Sequence, residues 1–175
     1  SEAVSGLSPA SLWQFFDRIA SIPRPSKKEG KLASYITSLA REHRLEVEED
    51  PAGNVLVRKP AHPTKTGAPP VVLQSHLDMV CEQNKDVVHD FDHQGIILQK
   101  SDGWIHARGT TLGSDNGIGV AAALSVMVDS SLDHGPLELL FTVDEETGLT
   151  GARSLRPGFL KSRILLNLDS EEDGA

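Results

Sequence analysis

The sequence lacks the cysteine content of a disulfide-stapled protein and the long apolar run of a membrane protein. Cys81 is its only cysteine, which excludes an internal disulfide framework and makes a reducing cytoplasm the expected compartment. Its longest apolar runs, such as residues 120–128, are much shorter than the roughly 20 residues needed to span a bilayer. The polar start Ser1-Glu2-Ala3 does not have the charged-then-apolar pattern of a signal peptide.

Positive charge is also scarce. The 175 residues include 17 Lys and Arg against 25 Asp and Glu, giving a formal charge of −8. Without a basic stripe, neither a nucleic acid nor an anionic membrane is an expected partner, and a small molecule or peptide fits better. The 38% hydrophobic and 24% charged residues are ordinary globular usage, and no repeat or low-complexity segment interrupts them. One domain, or most of one, is predicted.

Apolar periodicity predicts alternating helices and strands. Helices are predicted at about 8–22, with Ser8 as N-cap and Pro9 in the first turn, at 32–43, at 117–130 and around 152–155. Strands are predicted at 45–48, 54–58, 71–76, 96–99, 104–107, 137–143 and 164–168. The first two strands read as a hairpin or as neighbours, and the fourth and fifth as a hairpin. This alternation predicts an α/β protein, a three-layer α/β/α sandwich around a mostly parallel, mixed sheet.

The segment Thr-Thr-Leu-Gly-Ser-Asp-Asn-Gly-Ile-Gly at 110–119 is the most distinctive stretch. It places Asp115 in a tight, glycine-bounded turn just before a predicted helix. Unpaired backbone N–H groups and the positive end of the helix dipole favour an anion there. Asp115 is therefore a candidate metal ligand or bridge.

Three predicted strands end in groups that bind metals. His76, Asp144-Glu145-Glu146 and Asp169 each follow an apolar run, so in a parallel sheet they meet Asp115 at one rim. A histidine with several carboxylates is a set that holds catalytic metal ions. The predicted metal ligands are His76, Asp115, Glu146 and Asp169.

Two further acidic residues are predicted to support the chemistry. Asp78 lies two residues after His76, so on an extended strand end both point to the same face, where Asp78 could orient the imidazole. Of the adjacent glutamates, one can face the metal while the other acts as general base. This assigns Glu146 to the metal and Glu145 to the proton transfer.

Each motif taken singly has an ordinary explanation. His-x-Asp is usually a strand-end pair, Asp-Glu-Glu a solvated turn and Asp-Asn-Gly a turn, but their joint placement at strand and helix ends favours a site. His89 and His93 also have a metal-like spacing of four. Their segment lacks helical periodicity, so a polar loop is the better interpretation.

Four stretches, at 72–80, 108–119, 144–148 and 167–172, resemble the aminoacyl-histidine dipeptidases. These are cytosolic dizinc metallopeptidases related to tripeptidase T, carboxypeptidase G and the aminoacylases. The resemblance implies a phosphorylase/hydrolase-like zinc-peptidase domain with two Zn²⁺ ions, Mn²⁺ or Co²⁺ being alternatives. It also implies a cis peptide between Asp115 and Asn116. In this scheme His76 and Asp169 bind opposite metals, Asp115 bridges them, Glu146 ligates the first site, Glu145 is the base and Asp78 orients His76.

The implied reaction is hydrolysis of aminoacyl-histidine dipeptides such as carnosine by a metal-activated water. Members of that family are longer, with an inserted dimerisation or lid domain and a later histidine that completes the second metal site. Residues 1–175 are thus expected to be the amino-terminal portion of the catalytic domain, inactive alone and homodimeric only through the absent domain. Two alternatives stay open, namely a deacylase of the same fold acting on N-acyl amino acids, and a metal-binding module without turnover.

Overall fold

The structure, a computed structural model, describes residues 1–169. Its α-helices are α1 (Ala10–Ala20), α2 (Gly30–Glu42), α3 (Ser114–Val128) and the short α4 (Thr150–Arg153). Its strands are β1 (Glu46–Glu49), β2 (Val55–Lys59), β3 (Val71–His76), β4 (Leu98–Ser101), β5 (Trp104–Ala107), β6 (Leu137–Thr142) and β7 (Ile164–Asn167). Short 3₁₀ turns occur at Glu2–Val4 and Pro63–Lys65.

Five strands form one mixed sheet in the order β1-β2-β6-β3-β7. Strands β6, β3 and β7 run parallel, while β1 and β2 form an antiparallel hairpin that joins the sheet through β2 and β6. Strands β4 and β5 form a separate antiparallel hairpin. Both predicted hairpins are therefore confirmed. The three parallel strands all end at the same rim.

The sheet carries packed side chains on both faces. Helices α1, α2 and α3 cover one face, where Val57 and Phe141 belong to the main apolar core. The neighbouring residues Leu56 and Leu140 point to the opposite face because side chains alternate along a strand, and there they pack with Phe159 in the segment after α4. Every residue of β6 is buried, as expected for a strand covered on both sides. The predicted α/β/α layering is confirmed.

Two helix starts differ from the sequence prediction. Ser8 is not the N-cap of α1, because Pro9 holds an extended conformation at the cap position and the helix begins at Ala10. Helix α3 begins at Ser114, earlier than predicted, although Asp115 and Asn116 depart from helical φ and ψ. The Asp115-Asn116 peptide is cis, as the family resemblance implies.

In residues 1–169, every helix is either too short or too polar to cross a lipid bilayer.

Candidate metal centre

Four sequence-predicted ligands gather at the rim where β3, β6 and β7 end. His76 is the last residue of β3, and Asp115 lies in the first turn of α3. One ligand atom each from His76, Asp115 and Glu146 lies within 4.8 Å of the others. The Nε2 atom of His76 is 2.9 Å from Oδ1 of Asp115 and 3.7 Å from Oδ2 of Asp169. The parallel strand ends thus bring together one imidazole and three carboxylates.

His76 is fully buried and held from both sides of its ring. Its Nδ1 atom is 3.2 Å from Oδ1 of Asp78, which leaves Nε2 directed at the carboxylates. Burial alone would lower the pKa of His76, but hydrogen bonds to Asp78 and Asp115 raise it to about 9. A carboxylate behind a histidine is the usual way of fixing the ring and tautomer of a metal ligand.

Asp78 is fully buried and accepts four hydrogen bonds. Besides His76, the donors are the backbone N–H groups of Glu145 at 3.0 Å and Glu146 at 3.2 Å and the hydroxyl of Ser26 at 2.7 Å. Burial works to raise the pKa of Asp78, but these hydrogen bonds hold it well below its usual range. Asp78 therefore stays ionised and links the end of β3 to the turn after β6.

The other carboxylates of the rim outnumber the one imidazole beside them. Burial raises the pKa of Glu145, Glu146 and Asp169, and neighbouring carboxylates add to each shift although His76 opposes it. Carboxylates crowded around an imidazole repel one another unless a cation lies among them. The donor set and its charge thus fit divalent metal ions, with nitrogen and oxygen ligands of the kind that zinc accepts.

Glu145 and Glu146 occupy different surroundings. Glu146 belongs to the group with His76 and Asp115, whereas Glu145 lines a cavity of about 240 Å³ together with Asp169 and Gln74. The adjacent glutamates therefore face different parts of the rim, which is the arrangement that a division of roles between them requires.

Some residues of the site have no clear signal in the sequence. Asn116, which reads as part of a turn, donates from Nδ2 to Oδ1 of Asp169 at 2.7 Å and to the carbonyl of Leu168 at 2.9 Å. Arg24 and Glu29, between α1 and α2, are buried against the rim. Their partners are mostly backbone groups far along the chain, so no spacing pattern could have indicated them.

Two other sequence features lie elsewhere. Across residues 1–169, neither His89 nor His93 belongs to a three-ligand group, and His93 pairs with the exposed Asp90 at 2.8 Å. This agrees with the polar-loop interpretation. The Ser-Glu-Glu part of the last family motif, at 170–172, lies outside the described residues.

Comparison with known proteins agrees with this geometry. Residues 72–171 match the model of peptidase family M20/M25/M40. The chain is 51% identical over 171 residues to the cytosol non-specific dipeptidase of Escherichia coli K12, covering 98% of this chain and 35% of the relative.

Two solved structures that resemble this chain are also peptidases by name. The aminoacylhistidine dipeptidase from Vibrio alginolyticus superposes with a TM-score of 0.95 at 52% identity, over 98% of this chain and 35% of that one. Aminopeptidase PepT from Bacillus cereus gives a TM-score of 0.77 at 28% identity, over 93% and 43%. The chain thus spans less than half the length of these relatives. With the family model matching more than half of it, this chain belongs to peptidase family M20/M25/M40.

Proposed function

We propose that this chain is part of a metal-dependent dipeptidase that hydrolyses aminoacyl-histidine dipeptides such as carnosine. The observation that carries the proposal is the convergence of His76, Asp115, Glu146 and Asp169 at one rim, with Asp78 behind the histidine. The E. coli relative, at 51% identity, is a non-specific dipeptidase by name, which supports a dipeptidase. The Vibrio relative, at 52% identity, is an aminoacylhistidine dipeptidase by name, which supports the histidine-containing substrate class.

His76, Asp115, Glu146 and Asp169 would hold two divalent ions, which we propose to be Zn²⁺, with Mn²⁺ or Co²⁺ as substitutes. Asp115 lies next to both His76 and Asp169 and would be the ligand that the two ions share. Divalent ions in such a site polarise a carbonyl group and make water acidic enough to ionise near neutral pH.

The remaining roles belong to side chains that need not touch the metal. Glu145 accepts a proton from the attacking water at its carboxylate and returns it to the leaving amine. Its raised pKa, caused by burial and by the nearby carboxylates, suits a group that must both take and release a proton near neutral pH. Asp78 keeps the His76 ring in place through the contact to Nδ1.

Several properties of the whole protein are proposals on the same basis. Residues 1–175 would form the amino-terminal portion of the catalytic domain, and they span 35% of the length of each of these two relatives. A homodimer would form through an inserted domain outside this chain. We place the protein in the cytoplasm, as the name of the E. coli relative suggests, with a dipeptide as its partner rather than a nucleic acid or membrane.

The test is a hydrolysis panel on the zinc-loaded full-length protein, containing aminoacyl-histidine dipeptides, other dipeptides and N-acyl amino acids. We expect turnover of the histidine dipeptides. The Glu145→Gln variant should keep its zinc affinity but lose about 10²–10⁴-fold in kcat, since it removes the base and leaves the ligands in place. Turnover of N-acyl amino acids alone would indicate a deacylase, and an active Glu145→Gln variant would rule out the assigned base.

A further inference from the structure

The segment between α1 and α2 reaches three of the four parts of the rim that carry a proposed ligand. We call its three contacting residues, Arg24, Ser26 and Glu29, the rim brace. Arg24 is 2% exposed and Glu29 is 4% exposed, although both carry long charged side chains. Charged residues are almost never this buried unless their groups are paired, so their partners identify what they hold.

Arg24 joins the end of β3 to the turn before Asp115. Its Nη1 atom donates to the carbonyl of Leu77 at 2.9 Å and to that of Asp78 at 2.7 Å, and its Nη2 atom donates to the carbonyl of Gly113. The planar guanidinium presents these donors in a fixed fork, so it sets the distance between two segments that are far apart along the chain. One of these segments carries His76 and the other Asp115.

The turn before Asp115 is built around this guanidinium. A Cβ atom at Gly113 would lie 2.6 Å from Nη2 of Arg24, and one at Gly117 would lie 2.7 Å from the same atom. Gly113 also has a positive φ of 69°, which favours glycine. The backbone on both sides of Asp115 thus passes so close to Arg24 that any larger residue would displace the guanidinium.

Ser26 makes a further contact to the end of β3, and Glu29 reaches the turn after β6. The hydroxyl of Ser26 donates to Oδ2 of Asp78 at 2.7 Å, and Oε1 of Glu29 accepts from the backbone N–H of Asp144 at 2.9 Å. Asp144 opens the turn that carries Glu145 and Glu146. The rim brace therefore contacts the segment of His76, the turn of Asp115 and the turn of Glu146.

The positive charge of Arg24 also helps to hold the carboxylates of the rim together. Burial lowers the pKa of Arg24 to about 10, and the nearby Asp78, Cys81, Asp115 and Glu146 oppose that shift, so the guanidinium remains protonated at neutral pH. A buried cation behind a cluster of carboxylates reduces their mutual repulsion without occupying the space between them.

From these contacts we infer that the rim brace positions the metal ligands, with Arg24 setting the spacing between the His76 and Asp115 segments. This inference rests on the proposed metal-dependent function. Arg24, Ser26 and Glu29 are positioning residues, because each contacts the segments that carry the proposed ligands and not the ligand atoms themselves.

The test compares two arginines in the full-length protein. Arg24→Lys keeps the charge but loses the fork, and Arg58→Lys is the matched control. Arg58 joins β1, β6 and the Phe159 segment through Glu46, Glu138 and the Phe159 carbonyl, away from the ligand rim. The measurements are the Zn²⁺ dissociation constant, by chelator competition, and the visible spectrum of the Co²⁺-loaded protein.

We expect Arg24→Lys to weaken zinc binding by about 10–100-fold and to alter the cobalt spectrum, as removal of groups behind metal ligands does elsewhere. Arg58→Lys should leave both unchanged, whatever it does to the melting temperature. Unchanged zinc affinity and cobalt spectrum in Arg24→Lys would overturn the inference alone. Absence of zinc binding in the unmodified protein would overturn the proposed function and the inference with it.

If Arg24→Lys does not fold, Ser26→Ala decides the matter, because it removes a single hydroxyl and little volume. Zinc binding weaker by at least about tenfold supports the positioning role. Affinity equal to that of the unmodified protein overturns it.

Discussion

At the scale of single residues, Asp78 is the point where the rim is tied together. Both of its oxygens accept two hydrogen bonds, Oδ1 from His76 and the Glu145 N–H, and Oδ2 from Ser26 and the Glu146 N–H. All four partners are donors, so only a carboxylate, which accepts at both oxygens, satisfies them. This is why the residue is ionised although it is fully buried.

The Asp78→Asn variant tests this role because it alters one atom and the charge. The amide NH₂ must face a donor, which leaves hydrogen bonds unmade around His76. Zinc affinity should fall by about 10–100-fold, and the free energy of unfolding of the metal-free protein should fall by about 1–3 kcal/mol. Titration calorimetry and urea unfolding measure the two quantities.

Glu138→Gln provides the control for Asp78→Asn. Glu138 is also a buried carboxylate, and it accepts from the backbone N–H groups of Lys161 and Ser162 near the start of β6, away from the ligands. The Glu138→Gln variant should have a lower free energy of unfolding than the unmodified protein and the same zinc affinity. Equal zinc affinities in Asp78→Asn and Glu138→Gln would contradict the orienting role.

At the scale of elements, α3 meets the end of β7 through a contact that leaves no room for a side chain. A Cβ atom at Gly119 would lie 2.4 Å from Oδ1 of Asn116 and 2.9 Å from the carbonyl of Leu168. Asn116 in turn holds Asp169. The glycine therefore allows the first turn of the helix to approach the strand end that carries a proposed ligand.

Replacing glycine with alanine should have opposite effects in two helices. Gly119→Ala in α3 should lower the free energy of unfolding by about 1–3 kcal/mol, because the added methyl group overpacks the contact. Gly30→Ala in α2 has open space around the new Cβ and should raise it by about 0.4–1 kcal/mol. Urea unfolding of both variants provides the comparison, and equal stabilities would show that the approach at Gly119 is not tight.

The elements also show why the rim could be predicted from the sequence. Apolar runs that end in His76, in Asp144-Glu145-Glu146 and in Asp169 indicate strands with polar ends, and parallel pairing places these ends together. The start of α1 was predicted less well, because Ser8-Pro9 has the composition of a helix start while Pro9 remains extended. Local pattern predicts an element better than its first residue.

Across the whole molecule, the sequence did not indicate the contacts between residues that are far apart along the chain. Arg24 is 53 residues from Leu77 and 89 from Gly113, and both contacts are to backbone carbonyls, which every residue possesses. The sequence around Arg24, which lies between Pro23 and Pro25, therefore contains no pattern from which these contacts could be predicted. The family resemblance implies roles for the proposed ligands, and the fold shows which residues hold them in place.

The excess of negative charge at the rim also favours a bound metal ion there. The chain has a net charge of −8, and part of the excess lies in carboxylates whose pKa is raised by burial and by one another at the rim. A folded protein that keeps such a cluster together gains from a bound cation, because the cation binds the folded state and not the dispersed ligands of the unfolded chain.

Calorimetric titration of Zn²⁺ into the protein and into its Asp115→Ala variant shows whether these separate segments form one metal site. Asp90→Ala, which removes an exposed carboxylate from a loop outside the site, is the control. We expect saturable binding in the unmodified protein and in Asp90→Ala, and loss of that binding in Asp115→Ala. Equal zinc affinity in all three proteins would contradict this expectation.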